Sequence, residues 1–150
     1  MLKIKVTVKV ILFSGLFFVT FFVASANATL SEAIDAYALK DYKTAYQLFL
    51  PLAKSGNQYA QFGLAKMYGS GEQIKDGQIE GKIDNLKAFK WYQKAADQEY
   101  GIAQNNLGLF FENGKGTQKN LEQAKAWYQR SCDNRCSHGC NNLQRLVFEQ

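Results

Sequence analysis

The chain contains one histidine and one proline among its 150 residues. A Ser-His-Asp triad or a Cys-His pair could use only His138, and the sequence supplies no third group to orient its imidazole beside Cys136. The Ser-x-x-Lys motif of another class of serine nucleophile is also absent. The segment 114–117 lacks the spacing of a phosphate-binding loop. The sequence therefore predicts neither an enzyme nor a bound cofactor.

The N-terminus has the three parts of a secretory signal in order. Residues 1–9 carry three lysines and no acid, residues 10–23 are apolar apart from three positions, and 26–28 reads Ala-Asn-Ala. The apolar run is shorter than the roughly 20 residues of a membrane span, and no cysteine for a lipid anchor lies near the cut. We expect 1–28 to be a signal peptide, cleaved after Ala28 or Ala26, and the mature chain to be periplasmic or secreted. An uncleaved anchor is the alternative.

The predicted mature chain has little net charge. Residues 1–28 hold three of the 18 lysines and arginines and none of the 13 acids, which leaves 15 basic and 13 acidic residues, or +2. Nucleic-acid binding would require a clustered basic stripe. We therefore expect no nucleic-acid partner, and no membrane association after the signal is removed. The aromatic content of 14% argues against disorder.

Two segments recur along the chain. The sequence AQFGLAKMYGSG (60–71) aligns with AQNNLGLFFENG (103–114), and NLKAFKWYQKAA (85–96) aligns with LEQAKAWYQRSC (121–132). The first segment recurs after 43 residues and the second after 36, so the first copy carries seven extra residues between Gly71 and Asp84. That stretch is rich in glycine and charge, which predicts a longer loop.

Each segment has the apolar period of a helix. Ala60, Leu64, Met67 and Tyr68 follow the spacing i, i+4, i+7, i+8, and 85–96 shows a comparable stripe. Alternating strand patterns are missing. One helix pair cannot bury both of its faces, whereas stacked pairs can. The sequence therefore predicts an all-α protein of about seven helices arranged as a solenoid.

These residues resemble the Sel-1-like repeats, which are related to the tetratricopeptide repeats. The family pattern runs A-x-x-x-L-G-x-x-Y-x-x-G, then a loop, then K-A-x-x-W-Y-x-K-A-A. The principal matches are Ala60, Leu64, Tyr68, Gly71, Ala88, Trp91 and Tyr92 in one copy and Ala103, Leu107, Gly108, Gly114, Ala124, Trp127 and Tyr128 in the other. The chain departs from the pattern at Ala65, at the seven-residue insertion and at Ser131-Cys132.

The resemblance implies a right-handed α-solenoid of helix-turn-helix units. After the signal peptide at 1–28, the repeat domain is expected to span 29–150. We predict an opening half-repeat at 29–56, full repeats at 57–98 and 99–134, and a truncated unit at 135–150.

The three cysteines lie at 132, 136 and 140, and an exported chain meets an oxidising compartment. The pattern C-x7-C resembles the cysteine-rich secreted members of the family, in which such a pair joins adjacent helices, and this implies a Cys132–Cys140 disulfide. One continuous helix would separate the two by about 12 Å, beyond the roughly 7 Å that a disulfide tolerates. The repeat alignment places them on successive helices. Cys136 remains a free thiol or the link of a dimer in an otherwise monomeric protein.

Zinc binding is the alternative use of these cysteines. Together with His138 they form a C-x3-C-x-H-x-C cluster, and structural zinc sites do use three cysteines and one histidine. The usual spacing places a second ligand pair farther along the chain. We therefore favour an exposed turn position for His138 and expect no metal ion.

The resemblance also implies a concave face that is lined by the first helix of each pair and binds another protein. Candidate residues are those on the first helices that the core pattern does not require. They are Tyr59, Phe62, Lys66, Ile102, Asn105, Leu109, Asn141 and Arg145, together with His138. Aromatic and aliphatic members could anchor a partner. Burial of Phe62 and Leu109 between helices is the alternative.

The resemblance thus predicts an exported protein-binding module, such as an adaptor, assembly factor or regulator in the periplasm. A sharper version is an immunity protein that neutralises a toxic effector directed to the periplasm. An enzyme acting on beta-lactam or cell-wall substrates, as some cysteine-rich relatives have been described, is the alternative of a different class. The missing Ser-x-x-Lys motif argues against it.

Overall fold

The computed structural model describes residues 29–72, 74–75, 78–79 and 81–148. Seven helices follow one another in this part of the chain. They are α1 (29–38), α2 (Tyr42–Lys54), α3 (Gln58–Ser70), α4 (Asn85–Ala96), α5 (Gly101–Asn113), α6 (Leu121–Asp133) and α7 (Ser137–Phe148). The all-α prediction is confirmed. The predicted signal peptide lies outside the described residues.

The helices stack in the order of the chain. From α2 onward each helix packs against the next one, and α5 also contacts α7. Every internal helix is therefore covered by its sequence neighbours, as expected of a repeat protein. Of the described helices, none is long and apolar enough to cross a membrane.

The helix ends are set by local side chains. The second helix of each pair begins at a cap, where Asp41, Asp84 or Asn120 accepts a hydrogen bond from the backbone N–H three residues ahead, at 3.1, 2.9 and 3.0 Å. The first helices α3 and α5 end at Gly71 and Gly114, whose φ angles of 79° and 65° suit glycine. These residues position each pair along the chain.

The insertion of the first repeat contains two short strands. Strand β1 (Ile74–Lys75) pairs antiparallel with β2 (Gln78–Ile79). The segment rejoins the stack through hydrogen bonds from Gly81 N to Gly71 O at 3.0 Å and from Asp84 N to Tyr68 O at 2.9 Å. The sequence does not indicate this pair, because two-residue strands are too short to show alternation.

Small residues on the first helices let rings of the second helices approach. Tyr128 of α6 is fully buried, and a Cβ placed on Gly108 of α5 would lie 2.5 Å from its ring carbon Cε1. Ala65 occupies the position of Gly108 in the preceding repeat and is also fully buried. The core therefore depends on close contact between helix backbones and aromatic side chains.

A buried hydrogen bond joins consecutive units at a fixed place. The side-chain Nε2 of Gln61 donates to Ala53 O at 3.1 Å, and Gln104 Nε2 donates to Ala96 O at 3.1 Å, with a sequence separation of eight in each case. Each glutamine lies in the first turn of one unit and reaches the last turn of the preceding helix. The glutamine thus adds a second hydrogen bond to a helix-end carbonyl that already accepts one from the backbone N–H of Gly56 or Glu99.

Candidate functional site

The first turns of the first helices present one repeated surface position. Tyr59 of α3 and Ile102 of α5 are 47% and 45% exposed, and His138 of α7 is exposed at the corresponding position. The Tyr59 ring lies 5.2 Å from the ring of Tyr100, between centroids. These three candidate residues therefore lie on the surface.

Phe62 and Leu109 take part in packing. The Phe62 ring lies 5.7 Å from that of Tyr92 and 5.3 Å from that of Tyr100, and it is half-buried. Leu109 is half-buried as well and packs on the cluster of Tyr128 and Leu146. Both side chains thus support helix contacts, and only part of each is available to a partner.

The asparagines of the candidate set differ in exposure. Asn105 is only 8% exposed, and its Oδ1 accepts a hydrogen bond from Asn142 Nδ2 of α7 at 2.8 Å. Asn141 is exposed on α7. The structure therefore places Asn105 inside the α5–α7 contact and Asn141 on the surface.

Arg145 binds a carboxylate of its own chain. Its Nη2 donates to both oxygens of Glu112, at 2.7 and 2.8 Å, and Glu112 Oε2 also accepts from Tyr128 Oη at 2.5 Å. Burial of Tyr128 and its hydrogen bond to Glu112 raise the pKa of that tyrosine. The cluster holds α7 against α5 and α6.

An open groove of about 210 Å³ lies where α1, α3, α4 and α5 meet. Its floor and walls combine rings, two lysines and a glycine. Among the residues that line it are Tyr37, Lys66, Gly69, Tyr92, Phe110 and Lys115. Lys66 is thus the member of the predicted candidate set that lies in this groove.

The groove has an excess of positive charge. The Lys66 Nζ lies 4.9 Å from the centroid of the Tyr37 ring. Within the described part of the chain, neither Lys66 nor Lys115 is paired with a carboxylate. Glu72 lies beside the groove, where it accepts hydrogen bonds from Tyr37 Oη at 2.9 Å and from Ser70 Oγ at 2.7 Å.

Tyr92 lies in the wall of the groove. The residue is 6% exposed, and its ring lies 5.3 Å from that of Phe110. Burial raises its pKa. The pKa of Tyr37 is raised by burial, by Glu72 and, as the smallest contribution, by Tyr92, so the two tyrosines lie within electrostatic reach of one another. Among the described residues, the Tyr92 hydroxyl has no hydrogen-bond partner.

The helical period of 85–96 predicts only that Tyr92 lies on the apolar face of its helix. The distinguishing signal lies in the alignment, because Gly69 of the first copy stands opposite Glu112 of the second. A glycine in place of a carboxylate beside a buried tyrosine marks the place where the two repeats differ in polar chemistry.

The cysteines do not form a metal centre. Cys132 and Cys140 are joined by a disulfide with a Cα–Cα distance of 4.6 Å, so their sulfurs are not available as thiolate ligands. No group of three or more His, Cys, Asp or Glu side chains within the described residues could hold a metal ion. Cys136 is a free thiol and 8% exposed, so an intermolecular bond at Cys136 would require the turn to open.

Comparisons with known proteins agree with this architecture. The Sel1 repeat model matches residues 35–57, 58–100 and 101–136. A Sel1 repeat protein from Oxalobacter formigenes superimposes with a TM-score of 0.71 at 28% identity, over 80% of this chain and 46% of that one. A protective antigen of uropathogenic Escherichia coli with an SLR fold gives a TM-score of 0.73 at 26% identity, over 83% of this chain and 26% of that one.

Curated relatives share the repeats over part of their length. The chain is 30% identical over 105 residues to a chitin synthase regulator of Saccharomyces cerevisiae, which covers 70% of this chain and 14% of the regulator. It is 29% identical over 108 residues to a cytochrome c oxidase assembly factor of Xenopus tropicalis, covering 71% and 46%. A DAP3-binding cell death enhancer of Rattus norvegicus is 45% identical over 53 residues, covering 35% and 9%.

The chain spans less than half the length of each of these relatives. Their names describe regulation, assembly and binding to another protein rather than catalysis. The stacked helix pairs agree with the three matched repeats and with the two similar structures. The chain belongs to the Sel1 repeat family, whose members bind other proteins.

Proposed function

We propose that this protein is an exported protein-binding module that acts as an adaptor, assembly factor or regulator in the periplasm. The observation that carries the proposal is the groove around Lys66, in which side chains of α1, α3, α4 and α5 meet. A surface assembled from several units is where helical repeat proteins bind extended partners. The exposed Tyr59 and Ile102 lie on two of the same helices and would extend the contact.

The relatives support a regulatory or assembly role without naming a partner for this chain. One regulates a chitin synthase, one assembles cytochrome c oxidase and one binds DAP3. Each of these roles requires recognition of another protein. An immunity protein would be one case of the same activity, in which the partner is a toxic effector.

Two features support export. The N-terminal pattern of a basic segment, an apolar run and an Ala-Asn-Ala site is typical of a secretory signal. The disulfide between Cys132 and Cys140 is a bond that persists in oxidising compartments and is rare in reducing ones. Mass spectrometry of the chain recovered from its host should give an N-terminus at Thr29 or Asn27. Recovery of the intact chain beginning at Met1 would contradict the export proposal.

Site-specific photo-crosslinking in the native host tests the binding proposal. A photoreactive residue replaces Lys66 in the groove or Ile102 on α5, and the matched control replaces Lys90, an exposed lysine on the second helix α4. We expect one discrete partner to be crosslinked from positions 66 and 102 and not from 90. Equal crosslinking from all three positions, or none from the two first-helix positions, would contradict the proposed binding face.

A further inference from the structure

Tyr92 and Tyr128 occupy the same position in consecutive repeats, yet among the described residues only the Tyr128 hydroxyl has a hydrogen-bond partner. Tyr128 donates to Glu112 at 2.5 Å, and Arg145 neutralises that carboxylate. Tyr92 is also buried, at 6% exposure, but its hydroxyl has no partner among the described residues. Buried polar groups without partners are rare in folded proteins, and each one calls for a physical reason.

The first repeat lacks the side chain that satisfies Tyr128 in the second. Gly69 stands at the position of Glu112 and lines the groove next to Tyr92. A Cβ placed on Gly69 would approach Ala88 Cβ at 3.7 Å, which is ordinary van der Waals contact. A side chain at Gly69 could therefore begin at the groove without a clash at its Cβ.

Positive charge is nevertheless present around this space. Lys66 lies three residues before Gly69 on α3, and Lys115 follows the end of α5. Both line the groove, and neither is paired with a carboxylate in the part of the chain that the structure describes. The groove thus combines positive charge with a hydroxyl donor, as the Glu112 cluster does, although Leu109 rather than a cation stands at the repeat position of Arg145.

We infer that the groove binds a glutamate side chain of the partner protein, whose carboxylate takes the place that the Glu112 carboxylate holds in the next repeat. Tyr92 Oη donates to it, and Lys66 and Lys115 neutralise its charge. The inference rests on the proposed function, because it specifies what the partner presents to this surface. The Glu112 cluster is the template for the contact, since a side-chain carboxylate already makes it there.

The rest of the groove fits a glutamate between apolar neighbours. The rings of Tyr37 and Phe110 line it and can contact the methylene groups of the ligand and a flanking leucine. Glu72 lies at the edge of the groove and would repel an anionic ligand. Its carboxylate already accepts hydrogen bonds from Tyr37 and Ser70. Changing Glu72→Gln should therefore strengthen binding of an anionic ligand, because it removes repulsion.

The probes are two peptides that differ in one group, acetyl-Leu-Glu-Leu-amide and acetyl-Leu-Gln-Leu-amide. Each is titrated into the isotope-labelled full chain, in the form in which the host processes it, and amide signals are followed by NMR. We expect the glutamate peptide to shift the signals of Gly69 and Lys115 saturably and to bind about tenfold more tightly than the glutamine peptide, because only the carboxylate makes charge-assisted hydrogen bonds.

Two substitutions distinguish binding of the glutamate side chain in the groove from a general effect on packing. Tyr92→Phe removes only the hydroxyl, and phenylalanine stands at this repeat position in α2 as Phe49. It should weaken the glutamate peptide about tenfold, the loss of one hydrogen bond to a charged group. Gly69→Glu places a carboxylate of the chain itself in the groove. It should abolish peptide binding and raise the melting temperature, which excludes unfolding as the cause.

Two control variants should leave peptide binding intact. Tyr128→Phe removes the equivalent hydroxyl from the cluster that is already satisfied, and it should leave peptide binding unchanged. Gly69→Ala should retain binding, because a methyl group supplies no anion. Equal affinity for the two peptides, or undiminished binding by Gly69→Glu, would overturn the inference.

A third peptide tests the source of the carboxylate. Tighter binding of acetyl-Leu-Gln-Leu with a free C-terminus than of the glutamate peptide would also overturn the inference, since the anion would then be a chain terminus. If no peptide binds while crosslinking from position 66 persists, glutamate binding in the groove is overturned. The proposed binding of another protein is then unaffected. Loss of the crosslinks themselves would instead count against the proposed function.

Discussion

Cys132 and Cys140 occupy the repeat positions that Ala96 and Gln104 hold in the preceding unit. In both pairs the second residue lies eight positions after the first. Gln104 donates its side-chain N–H to the Ala96 carbonyl, and Gln61 does the same to Ala53 one unit earlier. At the last junction the buried hydrogen bond is replaced by a disulfide with a Cα–Cα distance of 4.6 Å. The covalent bond thus joins the C-terminal end of α6 to the first turn of α7.

Removal of the disulfide should destabilise the C-terminal junction. The variant Cys132→Ser with Cys140→Ser opens a nine-residue ring, and we expect a loss of about 2.5 kcal/mol in the free energy of unfolding in the chain-entropy model. Denaturant unfolding measures the change. Cys136→Ala is the control, with a smaller loss because it removes one buried sulfur and no cross-link. A larger loss in the control than in the double variant would contradict this assignment.

A disulfide should also form at the equivalent positions of the preceding unit. Replacing Ala96→Cys and Gln104→Cys together should produce a second disulfide on oxidation, because the two residues occupy the places of Cys132 and Cys140. Peptide mapping without reduction detects it. The control pairs Ala96→Cys with Asn105→Cys, which lies about 100° farther around the helix and should stay reduced. Equal oxidation of both pairs would show that the repeat position does not set the geometry.

Two glycines in first helices should respond to alanine in opposite directions. At Gly108 the new Cβ would lie 2.5 Å from the fully buried Tyr128 ring, so Gly108→Ala should cost about 1–3 kcal/mol. At Gly69 the new Cβ would lie 3.7 Å from Ala88 Cβ, which is ordinary contact, so Gly69→Ala should gain about 0.5–1 kcal/mol through helix propensity. Melting temperatures compare the two. The prediction fails if both substitutions shift stability in the same direction.

Buried tyrosines should make the protein sensitive to alkali. Burial raises the pKa values of Tyr92 and Tyr128, so the folded chain keeps these protons to higher pH than the unfolded chain, which loses them near pH 10. Their stabilisation is present below about pH 10 and is lost as pH rises above it, by up to about 1.4 kcal/mol per pH unit for each tyrosine.

The variant Tyr92→Phe isolates one of these groups. Urea unfolding between pH 9 and pH 11 should give a shallower loss of stability than in the unsubstituted protein, while below pH 9 the pH dependence should be the same for both. An unchanged slope above pH 10 would mean that Tyr92 is accessible to solvent in the folded state.

The helices could be predicted from the sequence because their apolar spacing is local, and the seven helices confirm that prediction. The candidate surface followed less well from sequence. Asn105 is covered by Asn142, and Arg145 is bound to Glu112. Both contacts form between α5 and α7, and the helical period of one segment does not show which residues of another helix lie against it. The role of Tyr92 cannot be predicted for the same reason, since periodicity shows that it faces inward but not whether its hydroxyl has a hydrogen-bond partner.

The sequence by itself determined the family, the helical stack and the repeated positions, because periodicity and caps act within a few residues and the same pattern occurs twice. The tertiary structure alone decided which polar groups meet. Glu112 satisfies Tyr128 because α5, α6 and α7 converge at one point, whereas Gly69 leaves Tyr92 facing a groove between α1, α3, α4 and α5. The two repeats share one pattern, and their packing partners give them different chemistry.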